Sequence, residues 1–235
     1  DPSAYNALEA GSTSISVLNY DAVDSTGLSV SHSATITFTG VNDLPTSLDA
    51  TLTAVEDTPF VFALTDFGFV DVDTLDQLQG ITVTRLSSIG TLALNGDAVV
   101  SGQSISHEDI VAGALTFSPL ANENGVGYDS FVYTVNDGLA DSLNQATLTI
   151  DVTAVDDLPT AADTTVTLTE DTQFVFAVAD FGFADVDALD QLQSITITSL
   201  ASVGKLELNG AGVTANQAIS QSDISAGALT FTPFE

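Results

Sequence analysis

The residues of this sequence that could do chemistry are carboxylates, and they come in short recurring groups. Asn42-Asp43, Glu56-Asp57, Asp71-Val72-Asp73 and Asp129 form one series; Asp156-Asp157 and Asp185-Val186-Asp187 repeat two of its members. Oxygen-only groups of this kind suit a hard divalent cation, since Ca2+ takes about six to eight oxygens at ~2.3–2.6 Å without strict geometry. The whole chain leans the same way. Its 235 residues carry 32 Asp and Glu against two basic residues, Arg85 and Lys205, for a net charge of −30. Such a chain does not bind nucleic acid or an anionic membrane surface through its own charge, and it attracts cations. Taken singly, each acidic group is at least as well explained by turn capping, which Asp and Asn do in any loop. Only convergence on one place makes a metal site.

What must position these groups is a repeat. Residues 155–235 lie over residues 41–121 at a constant offset of 114, without a gap, and 50 of the 81 positions are identical. A period of that length is one globular domain and too long for a solenoid. Junctions fall at Val41-Asn42-Asp43-Leu44-Pro45-Thr46 and Val155-Asp156-Asp157-Leu158-Pro159-Thr160, where the proline stops regular pairing and stiffens the connection. The chain therefore divides into part of one repeat over 1–44, a complete repeat over 45–158 and the first part of another over 159–235.

In the complete repeat, alternation predicts strands over 48–55, 60–64, 81–86, 91–94, 114–118, 128–135 and 146–153. Asn95-Gly96 marks a hairpin, and Ser106 caps a helical turn over 106–110. About seven strands in some 110 residues indicate an all-β protein of tandem antiparallel Greek-key β-sandwiches, cadherin-like or immunoglobulin-like. Strand order then assigns the acids to poles. Glu56, Asp57 and Asp129 fall at the C-terminal pole of the repeat; Asp71, Asp73, Asp76 and Asp137 fall at the N-terminal one. End to end, the expected shells are Asn42, Asp43, Asp71 and Asp73, with Glu9 a further candidate, at one junction. At the other they are Glu56, Asp57, Asp129, Asp156, Asp157, Asp185 and Asp187.

VNDLPT and VDDLPT at the junctions, EDT, DFGF followed by DVD, LALNG and LELNG, and YDSFVYTVNDG resemble the tandem cadherin-like repeats of giant bacterial surface adhesins. These belong to the class exported by type I secretion with RTX-type ends. The resemblance covers nearly all of 41–235, while residues 1–40, ending in GVND, look more like the related VCBS-type repeats. It implies an extracellular, non-catalytic extender that projects a ligand-binding region for cell adhesion and biofilm formation, with Ca2+ between domains making the rod rigid. A Ca2+-dependent module recognising a glycan or a protein is the alternative. It would expose aromatics beside the acids, and Phe67, Phe69, Phe181 and Phe183 are the candidates.

Other chemistry has little material. Asp66-Phe67-Gly68 copies a kinase motif without a nucleotide loop, a strand lysine or a catalytic His-Arg-Asp. As an EF-hand, Asp71-x-Asp73 fails at Asp76, where glycine is required, and at Thr82, where glutamate is. His32 and His107 fall on a strand and a short turn, His107 has no partner acid at the matching position of the copy (Gln221), and there is no cysteine for a disulfide or a thiolate site. No signal segment or transmembrane-length apolar run is visible, and direct membrane contact is not expected. The expected partners are neighbouring repeats of the same chain. The partial repeats at the two ends together make about one domain, so they are expected to find each other, head to tail between molecules or in a permuted arrangement.

Overall fold

The structure, a computed structural model, describes residues 7–234; residues 1–6, which open the partial repeat, and Glu235 lie outside the described residues. It forms two compact units, 1–155 and 156–235. The first begins with a hairpin of two eleven-residue strands, β1 (Thr13–Val23) and β2 (Ser29–Thr39). Its turn is held by Asp24, whose Oδ1 accepts from the backbone N–H groups of Thr26 and Leu28 at 2.9 Å each.

A sandwich follows. Its strands are β3 (Thr46–Leu48), β4 (Ala50–Val55), β5 (Phe60–Val61), β6 (Gly68–Val70), β7 (Gly80–Arg85), β8 (Thr91–Leu94), β9 (Asp97–Ala98) and β10 (Gln103–Ser106). After helix α1 (His107–Val111) come β11 (Leu115–Ser118), β12 (Gly125–Asn136) and β13 (Ala146–Thr153). One sheet has the order β10-β7-β12-β13-β4 and the other β5-β11-β8-β9. The alternation of β12 and β13 decides their packing, because every second side chain turns to the same face. Phe131, Tyr133, Val135, Leu148 and Ile150 are each 0% exposed and meet Phe117 and Leu115 of the opposite sheet in one core. Phe62 and Phe131 stack edge to face with ring centroids 5.8 Å apart, a favoured aromatic geometry.

The structure departs from the strand expectations in definite ways. Not every pairing is antiparallel: β4 runs parallel to β13. Both strands head for the C-terminal pole, so as neighbours they can pair in no other sense. The strand expected over 48–55 is split at Asp49, whose carboxylate accepts from Thr147 N at 2.7 Å in place of a ladder bond. The strand expected over 60–64 stops at Val61, and the chain enters a single 3₁₀ turn at Leu64–Asp66. There Asp66 Oδ2 accepts from Ala63 N at 2.8 Å. Short edge strands β6, β9 and β10 were not anticipated. Ser106 does cap α1, with its Oγ accepting from Asp109 N at 3.1 Å.

The second unit repeats the front of this plan, with β14 (Thr160–Ala161), β15 (Phe174–Val175), β16 (Phe183–Ala184), β17 (Ser194–Ile197), β18 (Gly204–Leu208), β19 (Ala211–Gly212) and β20 (Gln217–Ser220). Helix α2 (Gln221–Ser225) and β21 (Leu229–Pro233) complete it. Its fully sealed core is small, comprising Val213, Ile219, Ile224 and Leu229. Among the described residues no helix is long and apolar enough to cross a membrane.

Because Phe131 bridges the two sheets with no exposed surface, Phe131→Ala should cost the first unit about 3–5 kcal/mol in urea-induced unfolding. A loss below about 1 kcal/mol would show that β12 does not seal the core.

Candidate metal centre

The chain after β6 makes a tight loop, Asp71–Asp76, in which backbone geometry turns three carboxylates inward. Asp71 Oδ1 accepts from Asp73 N at 2.9 Å, and Asp76 N donates to the Asp73 carbonyl at 3.1 Å. The junction segment locks onto this loop: Asp43 N donates to Asp73 Oδ2 at 2.9 Å, and Asn42 Nδ2 donates to Asp137 Oδ2 at 3.0 Å. From the first hairpin's side Glu9 reaches in, its Oε1 accepting from Leu75 N at 2.7 Å. Asp71, Asp73 and Asp76 then present one oxygen each, all within 4.8 Å of one another.

Hydrogen bonds hold Asn42, Asp71 and Asp73 by one side-chain atom and leave another over. Asn42 Oδ1, Asp71 Oδ2, Asp73 Oδ1 and Asp76 Oδ2 are buried and have no partner, and Asp73 as a whole is 0% exposed. A buried unpaired carboxylate oxygen is costly, and gathering several is costlier, unless a cation meets them. Burial above all, and then the charges of Asp137 and Asp73, hold Asp71 above the usual carboxylate range. Loss of solvation, followed by the charge of Glu9 and then those of Asp71 and Asp73, does the same to Asp76. Hard oxygens alone make up this set, with no imidazole or thiolate; that fits Ca2+ rather than zinc.

The second unit carries the same loop. Asp187 Oδ2 accepts from Asp157 N at 2.8 Å, and Asp185 Oδ1 accepts from Asp187 N at 3.0 Å. Asp156, Asp187 and Asp190 bring one oxygen each within 4.8 Å of the others. Loss of solvation, with the charges of Asp156, Asp185 and Asp187, holds Asp190 above the usual range. Asp156 stands where the first unit has Asn42, so this copy has one more negative charge.

The remaining sequence candidates also make hydrogen bonds within the first unit. Glu56 is 1% exposed; its Oε1 accepts from Val155 N at 2.5 Å and its Oε2 from Asn124 Nδ2 at 3.0 Å. Asp57 adopts a left-handed conformation (φ 57°) and accepts from Asn122 N at 2.9 Å. Asp129 corrects the expectation most clearly: both its oxygens are taken by the loop before β8. Ser88 N donates to Oδ1 at 2.9 Å, and Ile89 N and Gly90 N donate to Oδ2 at 2.9 and 2.8 Å. Burial alone would raise its pKa; these donors and Ser130 N outweigh it and hold Asp129 below the usual range. A carboxylate so fully engaged does not need a cation.

Sequence reasoning passed over Asp76 and Asp190 as ligands, although the spacing Asp71-x-Asp73-x-x-Asp76 recurs as Asp185-x-Asp187-x-x-Asp190 and could have pointed to them. The first unit's two aromatics proposed for ligand recognition pack inward. Phe67 is 4% exposed, with its ring 5.4 Å from that of Tyr133, and Phe69 leans on the same core. His107 is no site either, since its Nδ1 lies 2.9 Å from the Leu78 carbonyl.

Residues 42–153 match the bacterial Ig domain family, in agreement with the sandwich they form. No curated protein matches the chain. Among solved structures it is similar to an endo-fucoidan hydrolase from glycoside hydrolase family 107, at 17% identity and a TM-score of 0.29, over 96% of this chain and 30% of that one. A likeness at that score carries no argument about activity.

Asp129 offers a check by pH. Its folded pKa is depressed, so its stabilisation is present above the unfolded carboxylate pKa and is lost as pH falls through the lower folded one. Asp129→Asn should cost about 2 kcal/mol at neutral pH and flatten the acid side of the stability curve, measured by denaturant unfolding between pH 2 and 7. An unchanged acid limb would mean that the loop does not depend on this charge.

Proposed function

We propose that the chain is a non-catalytic extender segment of a bacterial cell-surface adhesin, whose junctions are stiffened by bound Ca2+. The observation that carries this reading is the set of four buried oxygens without partners, on Asn42, Asp71, Asp73 and Asp76, at the connection into a bacterial Ig-like sandwich. Asn42, Asp71, Asp73, Asp76 and Glu9 would hold the first ion; Asp156, Asp185, Asp187 and Asp190 would hold a second. Asp43 and Asp157 each tie the junction segment to the loop with one backbone N–H.

The mechanism is mechanical. Without a cation, acids at the junction repel one another, and the proline-containing connection has only a few hydrogen bonds to fix it. A cation reverses the sign of that interaction, because the same carboxylates now attract a common centre. Binding also adds stability by mass action, about 2.7 kcal/mol at a hundredfold excess over the dissociation constant. An array stiffened in this way outside the cell would project an adhesive region in cell adhesion and biofilm formation, and would fold fully only where calcium is millimolar. The reading as a ligand-recognising Ca2+ module is weakened by the burial of Phe67.

Thermal unfolding in EDTA, in CaCl2 and in MgCl2 at matched ionic strength tests the proposal. A rise in Tm specific to calcium is expected, and Asp73→Asn should remove most of it. Equal melting in both metals would reduce the acids to screened surface charge. Since ligand charge sets calcium affinity, Asp156→Asn should weaken the second site by about tenfold (about 1.4 kcal/mol) in calorimetric titration. No change on that substitution would take Asp156 out of the ligand set.

A further inference from the structure

We propose that Gly40 is a positioning residue for the first metal centre: it lets the chain before β1 close against the chain after β2, and that closure carries the Glu9 carboxylate into the acidic loop. The inference rests on the calcium reading above and adds to it a residue that has no side chain to offer an ion. Glu9 lies 66 residues before Leu75, whose N–H its Oε1 accepts at 2.7 Å, so something has to bring it there. Residues 9–12 make a tight turn. Ser12 N and Ser12 Oγ both donate to the Glu9 carbonyl, at 2.9 and 2.7 Å, and Gly11 takes a left-handed conformation (φ 78°) within it. The turn then pairs with Gly40 in both directions: Gly11 N donates to the Gly40 carbonyl at 3.0 Å, and Gly40 N donates to the Ser12 carbonyl at 2.8 Å.

This approach leaves no room for a side chain. A Cβ at position 40 would lie 2.2 Å from the Glu9 carbonyl oxygen and 2.4 Å from that of Leu8, far inside van der Waals contact. Both atoms are backbone, so neither can rotate aside, and the turn that carries Glu9 would have to move as a whole. The aligned position before the second acidic loop is an internal comparison. Ala154 stands there, two residues before Asp156, and it is exposed, whereas Gly40 is buried. The junction sequence therefore tolerates a Cβ at this place; what excludes one at 40 is the turn holding Glu9. After lost solvation, the charge of Glu9 is the largest influence on Asp76. One N–H from Leu75 is a small return for setting a fourth carboxylate against Asp71, Asp73 and Asp76. A shared cation reverses that balance.

A double-mutant cycle on the full chain tests this, read by calorimetric titration with CaCl2 in an Asp187→Asn background that silences the second loop. Gly40→Ala should weaken calcium binding at the first loop by about 10–100-fold, as Glu9→Gln should. The two together should cost no more than either alone, because Gly40 acts only through Glu9. Amide hydrogen exchange in EDTA reads the geometry without metal. Leu75 N–H should exchange faster in Gly40→Ala and in Glu9→Gln, while the amides of Phe131 and Tyr133 keep their protection and show that the sandwich still folds. The milder Ser12→Ala, which removes one hydrogen bond to the Glu9 carbonyl, should move both readouts in the same direction. Unchanged affinity in Gly40→Ala, costs that add in the double variant, or unchanged exchange at Leu75 would overturn this inference and leave the calcium reading standing. A parent chain that takes up no calcium at the first loop would overturn both.

Discussion

The seal that β12 and β13 place over the interior is the interaction on which the rest of the first unit depends. These two strands supply Phe131, Tyr133, Val135, Leu148 and Ile150, none of them exposed. They also supply the pairing that makes β4 a strand. The second unit shows what the same kind of sequence does without them. Strands local in sequence, such as the β18–β19 hairpin, still form, and α2 is capped by Ser220 as α1 is by Ser106. The segment aligned with β4 has no pairing to join, and its aromatics stay half-open. Local propensity and turns are sufficient for the former; the latter wait on apolar area contributed from far along the chain.

Within that frame the acids divide by how much backbone surrounds them. Asp129 and Asp137 sit against runs of N–H groups, and those donors hold their pKa values low despite burial. Asp71 and Asp76 are desolvated among other carboxylates, and their values go up. The same residue type is a finished structural element in one place and an unfinished one in the other. The difference is whether each oxygen has a donor, which is also the difference between a turn cap and a ligand set.

The near absence of positive charge makes this division consequential. With Arg85 and Lys205 as the only basic side chains, the acids cannot be neutralised from within. The ion pair seen among the described residues, Lys205 with Glu207, is at a strand surface and serves no junction. An exposed acid loses little by this, because water solvates it. A buried group such as Asp73 has no such recourse, and its Oδ1 is left without a hydrogen-bond partner.

Much of this was legible in the sequence because it depends on period and on local chemistry. The alternation Phe131, Tyr133, Val135 identified a core face, Ser106 identified a cap, and the offset of 114 identified the repeat and its acidic junctions. Tertiary structure alone decided which carboxylates are engaged. Asp129 and Asp73 look equally available in a string of letters. The loop 88–90 that satisfies Asp129 lies about forty residues before it in the chain, and it closes only when β7, β8 and β12 pack together. Asp76 was passed over although its spacing recurs in the second unit; the turn that brings its N–H to the Asp73 carbonyl is what sets its carboxylate beside the other two. A hydrogen bond is a matter of distance and direction between groups, and for groups far apart in sequence only the packed chain sets either one.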